Sequence, residues 1–253
     1  MKKKTLILLS AIVSAIVVAS LFFCAKKHVT EPVTAFLEES EIPDESLILP
    51  APPEKDSPAF INDRFWYDWG KEQRKDSLRA SQASFDCFHL EYDQIGECFS
   101  EAFGMEISTQ NTPEITELLK GVMPNIKQSF KNAKDTYKRT RPFEEFGEKS
   151  LIEERGEEEK YRNTYSYPSG HTMRAYITAS LLSEINPDAT DKLMQRARVF
   201  AENRLVCGHH YKSDVDASII LSTALLARLH SDKEFKAQLK KARKEFKHKK
   251  SRM

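Results

Sequence analysis

The sequence has no stretch in which apolar and polar residues alternate as a half-buried strand requires. It has no internal repeat, and only one long apolar run, which excludes a polytopic membrane protein. Cysteine is scarce: Cys24, Cys87, Cys98 and Cys207 are the 4 among 253 residues. None falls in a Cys-x-x-Cys or Cys/His pattern, so no metal site is read from the sequence. Cys24 lies in the apolar run, and the three that remain allow at most one internal disulfide in an oxidising compartment. Cys87 and Cys98 would be about 16 Å apart on one unbroken helix, too far to bridge, although a break at Gly96 would permit the bond. An excess of one charge sign is also missing, with 39 Lys/Arg against 38 Asp/Glu and a formal net charge of +1. At 40% hydrophobic and 30% charged residues, the chain can bury a core and is not of disordered composition.

The balanced charge is a sum of unlike regions. Lys2, Lys3, Lys4, Lys26 and Lys27 bracket the apolar run, and the stretch from Lys233 to Arg252 holds ten Lys/Arg against two Glu. Residues 28–232 therefore carry a net −12. A site for an anion in that body must gather its positive charge locally, against an acidic background.

Thr5 to Ala25 is 21 residues without a charge, behind a lysine cluster. This pattern predicts that residues 1–27 are a signal peptide or an N-terminal anchor, and that the protein is periplasmic or secreted. Small residues at Val18-Ala19-Ser20 suit cleavage. The full span, followed by Lys26 and Lys27, suits an anchor. Residues 28–58, acidic and rich in proline (Pro43, Pro50, Pro52, Pro53, Pro58), read as an extended arm.

Beyond the arm the pattern is helical, and residues 59–250 are predicted to form one all-α domain. Helical spacing runs through Phe60–Phe88, Thr172–Ile185, Thr190–Val206, Val215–Leu229 and Lys233–Lys247. In Glu114–Tyr137 the apolar positions Ile115, Leu118, Leu119, Val122, Ile126, Phe130, Ala133 and Tyr137 follow the 3.6-residue period, with Pro124 a candidate kink. Ala217–Leu229 is the most apolar stretch of the body, but at 13 residues it is a core helix and too short to span a bilayer. The basic C-terminal helix sets Phe235, Leu239, Ala242 and Phe246 on one face, so its charge reads as a solvated surface and no nucleic-acid partner is expected. Glu153–Lys160 reads as a charge-rich loop.

Three segments carry chemistry. In KDTYKRTRP, Lys134 and Arg141 lie seven apart, two turns of a helix, and can converge on one anion before Pro142 ends the helix. In Tyr167-Pro168-Ser169-Gly170-His171-Thr172 a turn precedes a helix, whose N-terminal N–H groups suit a phosphate; Ser169 adds a hydroxyl and His171 sits at the edge. The bland alternative makes Ser169 an ordinary N-cap. In the third, Arg204 precedes Gly208-His209-His210 and Asp214, and a carboxylate four residues after His210 can hold one ring nitrogen and leave the other free to attack. His209 reads as an exposed or packing residue.

Taken together, Lys134-x6-Arg141-Pro142, Pro168-Ser169-Gly170-His171 and Arg204-x5-His210-x3-Asp214 resemble the signature of the type-2 phosphatidic acid phosphatase superfamily. From about Leu47 to Lys250 the chain is more closely similar to the bacterial class A non-specific acid phosphatases, as in LILPAPPEKDSPAFIND, SYPSGHT, LLSEINP and RLVCGHHYKSDVDA. The resemblance implies a compact helical bundle and hydrolysis of small phosphate monoesters, with broad specificity, no cofactor and no metal. His210 would be the nucleophile that forms a phosphohistidine, Asp214 would hold its ring, and His171 would be the general acid and then base. Lys134, Arg141, Arg204, Ser169 and Gly170 would bind the phosphoryl oxygens. Two-step chemistry implies phosphate transfer to other alcohols, and the family suggests a homo-oligomer. The sequence departs from the pattern at Asn203, usually Ser, at the Met173–Tyr176 stretch and in the added His209. A membrane-associated lipid phosphate phosphatase and a vanadate-dependent haloperoxidase are the alternative readings of the same motifs.

Overall fold

The computed structural model describes residues 34–89, 92–152, 161–162 and 164–252. The predicted export segment, Cys24 and the charge-rich loop at 153–160 lie outside the described residues. Among the described residues no strand occurs, and the fold is all-α. No helix there is long and apolar enough to cross a membrane.

The elements follow in chain order as α1 (Glu45–Ile48), α2 (Pro58–Gln73), α3 (Ser77–Phe88), α4 (Tyr92–Phe103) and α5 (Pro113–Tyr137). After them come α6 (Pro142–Glu145), α7 (Gly170–Ile185), α8 (Thr190–Val206), α9 (Lys212–Leu229) and α10 (Lys233–Lys250). The Phe60–Phe88 stretch is two helices, because Asp76 caps a new one by accepting from the N–H groups of Leu78 (2.9 Å) and Arg79 (3.2 Å). The helix α4 has no counterpart among the predicted ones, although Ile95, Phe99 and Phe103 are buried at four-residue spacing. Pro124 sits inside a continuous α5. Cys87, on α3, and Cys98, on α4, are free, so Gly96 permits no bridge between them here.

At the centre lies α7, whose side chains from Gly170 to Ile185 are buried on almost every side. It packs against α4, α5, α8, α9 and α10. An all-round apolar helix is stable only when other helices surround it. The basic helix α10 turns Phe235, Leu239, Ala242 and Phe246 inward, the four residues its pattern predicts. Burying Phe235, Leu239 and Phe246 contributes about 1.5–3 kcal/mol each, and the Ala242 methyl less. Residues 34–57 lie along this bundle, with Leu37 and Leu49 buried and Asn125 of α5 accepting from the N–H groups of Phe36 and Leu37.

Two glycines let the site assemble. A Cβ at Gly70 would stand 2.4 Å from the Leu205 carbonyl oxygen, so only glycine lets α2 cross α8 this closely. Gly208, at φ +77°, turns the chain out of α8 in a conformation that side-chain-bearing residues rarely adopt, and His209 and His210 follow immediately.

Candidate active site

The end of α5, the start of α7, the end of α8 and the start of α9 meet at one buried place. His210 stands in the turn before α9, and its Nδ1 faces Asp214 Oδ2 at 3.3 Å. Asp214 belongs to the first turn of α9 and also accepts from the Tyr211 N–H at 2.9 Å, so the backbone fixes its carboxylate. A carboxylate can only accept, which puts the proton of neutral His210 on Nδ1 and the lone pair on Nε2. That nitrogen lies 3.2 Å from Arg141 Nη1.

Opposite stands His171, its ring centre 6.5 Å from that of His210. The Nε2–H of His171 donates to the Cys87 carbonyl of α3 at 3.1 Å. His171 follows Gly170 at the start of α7, whose first N–H groups have no intrahelical acceptor. Ser169 caps this helix: its Oγ accepts from the Thr172 N–H (3.3 Å) and shares a hydroxyl bond with Thr172 (3.0 Å), while its own N–H donates to Ser218 Oγ at 2.7 Å. Capping leaves the N–H groups of Gly170 and His171 for another acceptor.

Three cations surround the histidines. Lys134 Nζ donates to the Tyr165 carbonyl. Arg141 is fixed by Thr164 Oγ1 (2.9 and 3.1 Å) and by the carbonyls of His209 (2.9 Å) and Tyr165 (3.2 Å). Arg204 is wholly buried, donating to Cys87 Sγ at 2.9 Å and to His209 Nδ1 at 3.1 Å, and its Nε–H has no partner among the described residues. A buried guanidinium with an unused donor is costly unless an acceptor arrives.

This crowding of positive charge governs the protonation of the site. Burial, then Arg141, Lys134 and Arg204, hold His210 well below the usual imidazole range. Burial, then Arg204 and Arg174, do the same to His171. Burial, then Arg141, depress Lys134, and Arg141 itself is brought down to about 10 by burial and by Arg204.

Two residues that sequence reasoning passed over complete the support. Arg139 donates to Asp214 Oδ1 (2.6 Å), Ser213 Oγ (2.8 Å) and Asp63 Oδ2 (2.7 Å), and its guanidinium lies 3.8 Å from the Tyr211 ring centre. Asp63, on α2 and wholly buried, also accepts from the Ser213 N–H at 2.8 Å. The chain Asp63–Arg139–Asp214–His210 thus anchors the histidine to the bundle. The signal for Arg139 was its place between Lys134 and Arg141; Asp63 had none, because its partners lie 76 and 150 residues away.

The departures from the expected pattern have structural accounts. Asn203 points away from the site, donating to Asp86 Oδ2 at 2.6 Å in a network with Arg196 and Arg79. Arg174 folds back onto the Gly170 carbonyl at 3.2 Å. His209 is fully buried between Phe143 and Tyr161, ring centres 5.4 and 4.4 Å away: the packing alternative holds and the exposed one does not. Burial brings His209 down to about 4. The unfolded chain then binds a proton that the folded chain refuses between pH 6.5 and 4, so stability falls as pH drops through this window. His209 alone is expected to contribute a loss of about 2 kcal/mol between pH 7 and pH 4.5, to be measured by urea unfolding at the two values, and His209→Phe should remove that share while those of His171 and His210 remain.

Among the described residues no group of three His, Cys, Asp or Glu is placed to hold a metal ion. A helical bundle that buries two histidines among Lys134, Arg141 and Arg204, at a helix N-terminus, is built to hold an anion. Residues 117–236 match the PAP2 superfamily. Over 218 residues the chain is 38% identical to a non-specific acid phosphatase of Providencia stuartii, covering 86% of each protein. It is 34% identical over 223 residues to a non-specific acid phosphatase of Salmonella typhimurium, covering 88% of each. An acid phosphatase of Zymomonas mobilis is 30% identical over 238 residues, which cover 93% of this chain and 88% of that protein. The chain therefore belongs to the non-specific acid phosphatases of the PAP2 superfamily.

Proposed function

We propose that this acid phosphatase hydrolyses phosphate monoesters in two displacements through a phosphohistidine at His210. The observation that carries the reading is the His210–Asp214 pair beside Arg141, together with the buried Arg204 Nε–H that lacks an acceptor among the described residues. In this reading Asp214 holds Nδ1–H, Nε2 attacks phosphorus, and the ester oxygen leaves with a proton from His171. His171 then takes a proton from water, which attacks the phosphohistidine. Lys134, Arg141, Arg204, the Ser169 hydroxyl and the Gly170 N–H spread over the equatorial oxygens, where charge develops. Bound phosphate must displace Arg141 from Nε2, and its negative charge offsets the cations that keep His171 neutral, so the general acid gains its proton as substrate binds. Alcohols that reach the intermediate in place of water would accept the phosphoryl group.

The domain limits and export belong to the same proposal: residues 59–250 as the catalytic domain, 28–58 as its arm, and 1–27 delivering it to the periplasm or beyond. The match over most of the chain to relatives named as non-specific acid phosphatases favours small esters over lipid phosphates.

Hydrolysis of p-nitrophenyl phosphate across pH with EDTA present tests the reading. His210 must be neutral to attack, and a depressed value keeps it neutral on the acid side, so the acid limb of kcat/KM should lie below pH 6.5. Lys134→Met removes one depressing cation and should move that limb to higher pH. Loss of turnover in EDTA, or a much faster reaction with lipid phosphate in vesicles, would overturn it.

A further inference from the structure

Behind Arg204 lies a pair of thiols that the chemistry above does not use. Cys87 of α3 and Cys207, which follows α8, are both fully buried in one small cluster with Ala83, Ile152 and Val206. Cys207 Sγ lies 3.3 Å from the Ala83 carbonyl oxygen, one helical turn before Cys87, which sets it in the same buried cluster as the Cys87 thiol. Cys87 in turn touches two site residues: its Sγ accepts from Arg204 at 2.9 Å and its carbonyl from His171 at 3.1 Å. Cys98 stands apart on α4, beneath Arg196, which donates to its carbonyl.

We propose that Cys87 and Cys207 close into a disulfide, and that this bond sets how freely Arg204 serves phosphate. The oxidant is a donor disulfide met while the chain folds. The sulfur of Cys87 displaces one donor sulfur and forms a mixed disulfide; Cys207 then attacks the Cys87 sulfur and expels the other. The two thiols give up two electrons and two protons, and the donor becomes a dithiol. Reduced, Cys87 has its thiol pushed down by the neighbouring Cys207 and by the charge of Arg204, so it competes with substrate for Arg204. As a disulfide it carries no charge and releases that N–H. The pairing explains how a body with three cysteines accommodates one bond. The link to Arg204 rests on the phosphate-binding role proposed above; the bond itself does not.

The full chain is refolded in oxidised or in reduced dithiothreitol, blocked with N-ethylmaleimide and digested without reduction. Mass spectrometry of the oxidised sample should find one cross-linked peptide joining Cys87 to Cys207, with Cys98 alkylated. Dominant pairing through Cys98 or Cys24, or full alkylation of Cys87 and Cys207, overturns the bond whatever the enzyme does. Oxidised enzyme should show a KM for p-nitrophenyl phosphate roughly fivefold below that of reduced enzyme, the worth of one released hydrogen bond, with kcat changed less. Cys207→Ala should remove the redox response and Cys98→Ala should keep it. With the cross-link present, equal KM values in both samples would overturn the coupling to Arg204.

Discussion

His210→Ala is expected to lower kcat on p-nitrophenyl phosphate by on the order of 10⁴-fold or more, since in the proposed mechanism it removes the atom that bonds to phosphorus. The fold should persist, because His210 contributes one ring while the frame around it is independent: Asp214 keeps the Tyr211 N–H and Arg139, and Arg139 keeps Asp63. Circular dichroism should be unchanged, and inorganic phosphate should still bind. An activity loss of tenfold or less would mean that another group attacks. His171→Ala serves as the companion: it should slow esters with poor leaving groups much more than p-nitrophenyl phosphate, whose leaving group needs little protonation.

The second large effect is expected at Arg204. Arg204→Ala should lower kcat by on the order of 10²–10³-fold, the usual loss on removing one donor from a centre that stabilises developing charge. The residue is wholly buried and fixed from two sides, by Cys87 Sγ and His209 Nδ1, so its donors stand in place before substrate arrives. Arg204→Lys should recover little, because an ammonium cannot present several donors in one plane. Both variants leave His209 without its partner, so their stability should be measured beside their turnover.

Much of the site could be read from the sequence, because its residues stand in short ordered segments whose local structure is self-specified. Lys134 and Arg141 share a helix end; Ser169 to His171 form a helix start; Gly208 with its positive φ places His210 and Asp214. The helix α10 was equally plain from its four apolar positions. What the sequence hid was held by distant partners. Asp63 reads as one more charge on an aromatic-rich helix until the fold sets it against Ser213 and Arg139. Cys87 reads as a helix cysteine until α3 lies against the end of α8. Among the described residues of the short helix α4 the strongly buried apolar side chains are Ile95, Phe99 and Phe103, with Gly96 beside the first, so its period was too brief to stand out. The neutral state of His171 was hidden for a related reason, since burial in the assembled bundle depresses it first and Arg204, from another helix, adds to Arg174 of its own.

The central claim is a covalent bond between phosphorus and one ring nitrogen. Wild-type enzyme mixed with p-nitrophenyl phosphate and quenched in alkali within milliseconds should yield a peptide heavier by one phosphoryl group, with the modification on His210 and lability in acid. His210→Ala should yield none. A phosphoryl group found on His171 or on His209, or quenched wild-type enzyme with no modified peptide despite a burst of p-nitrophenol, would contradict the account.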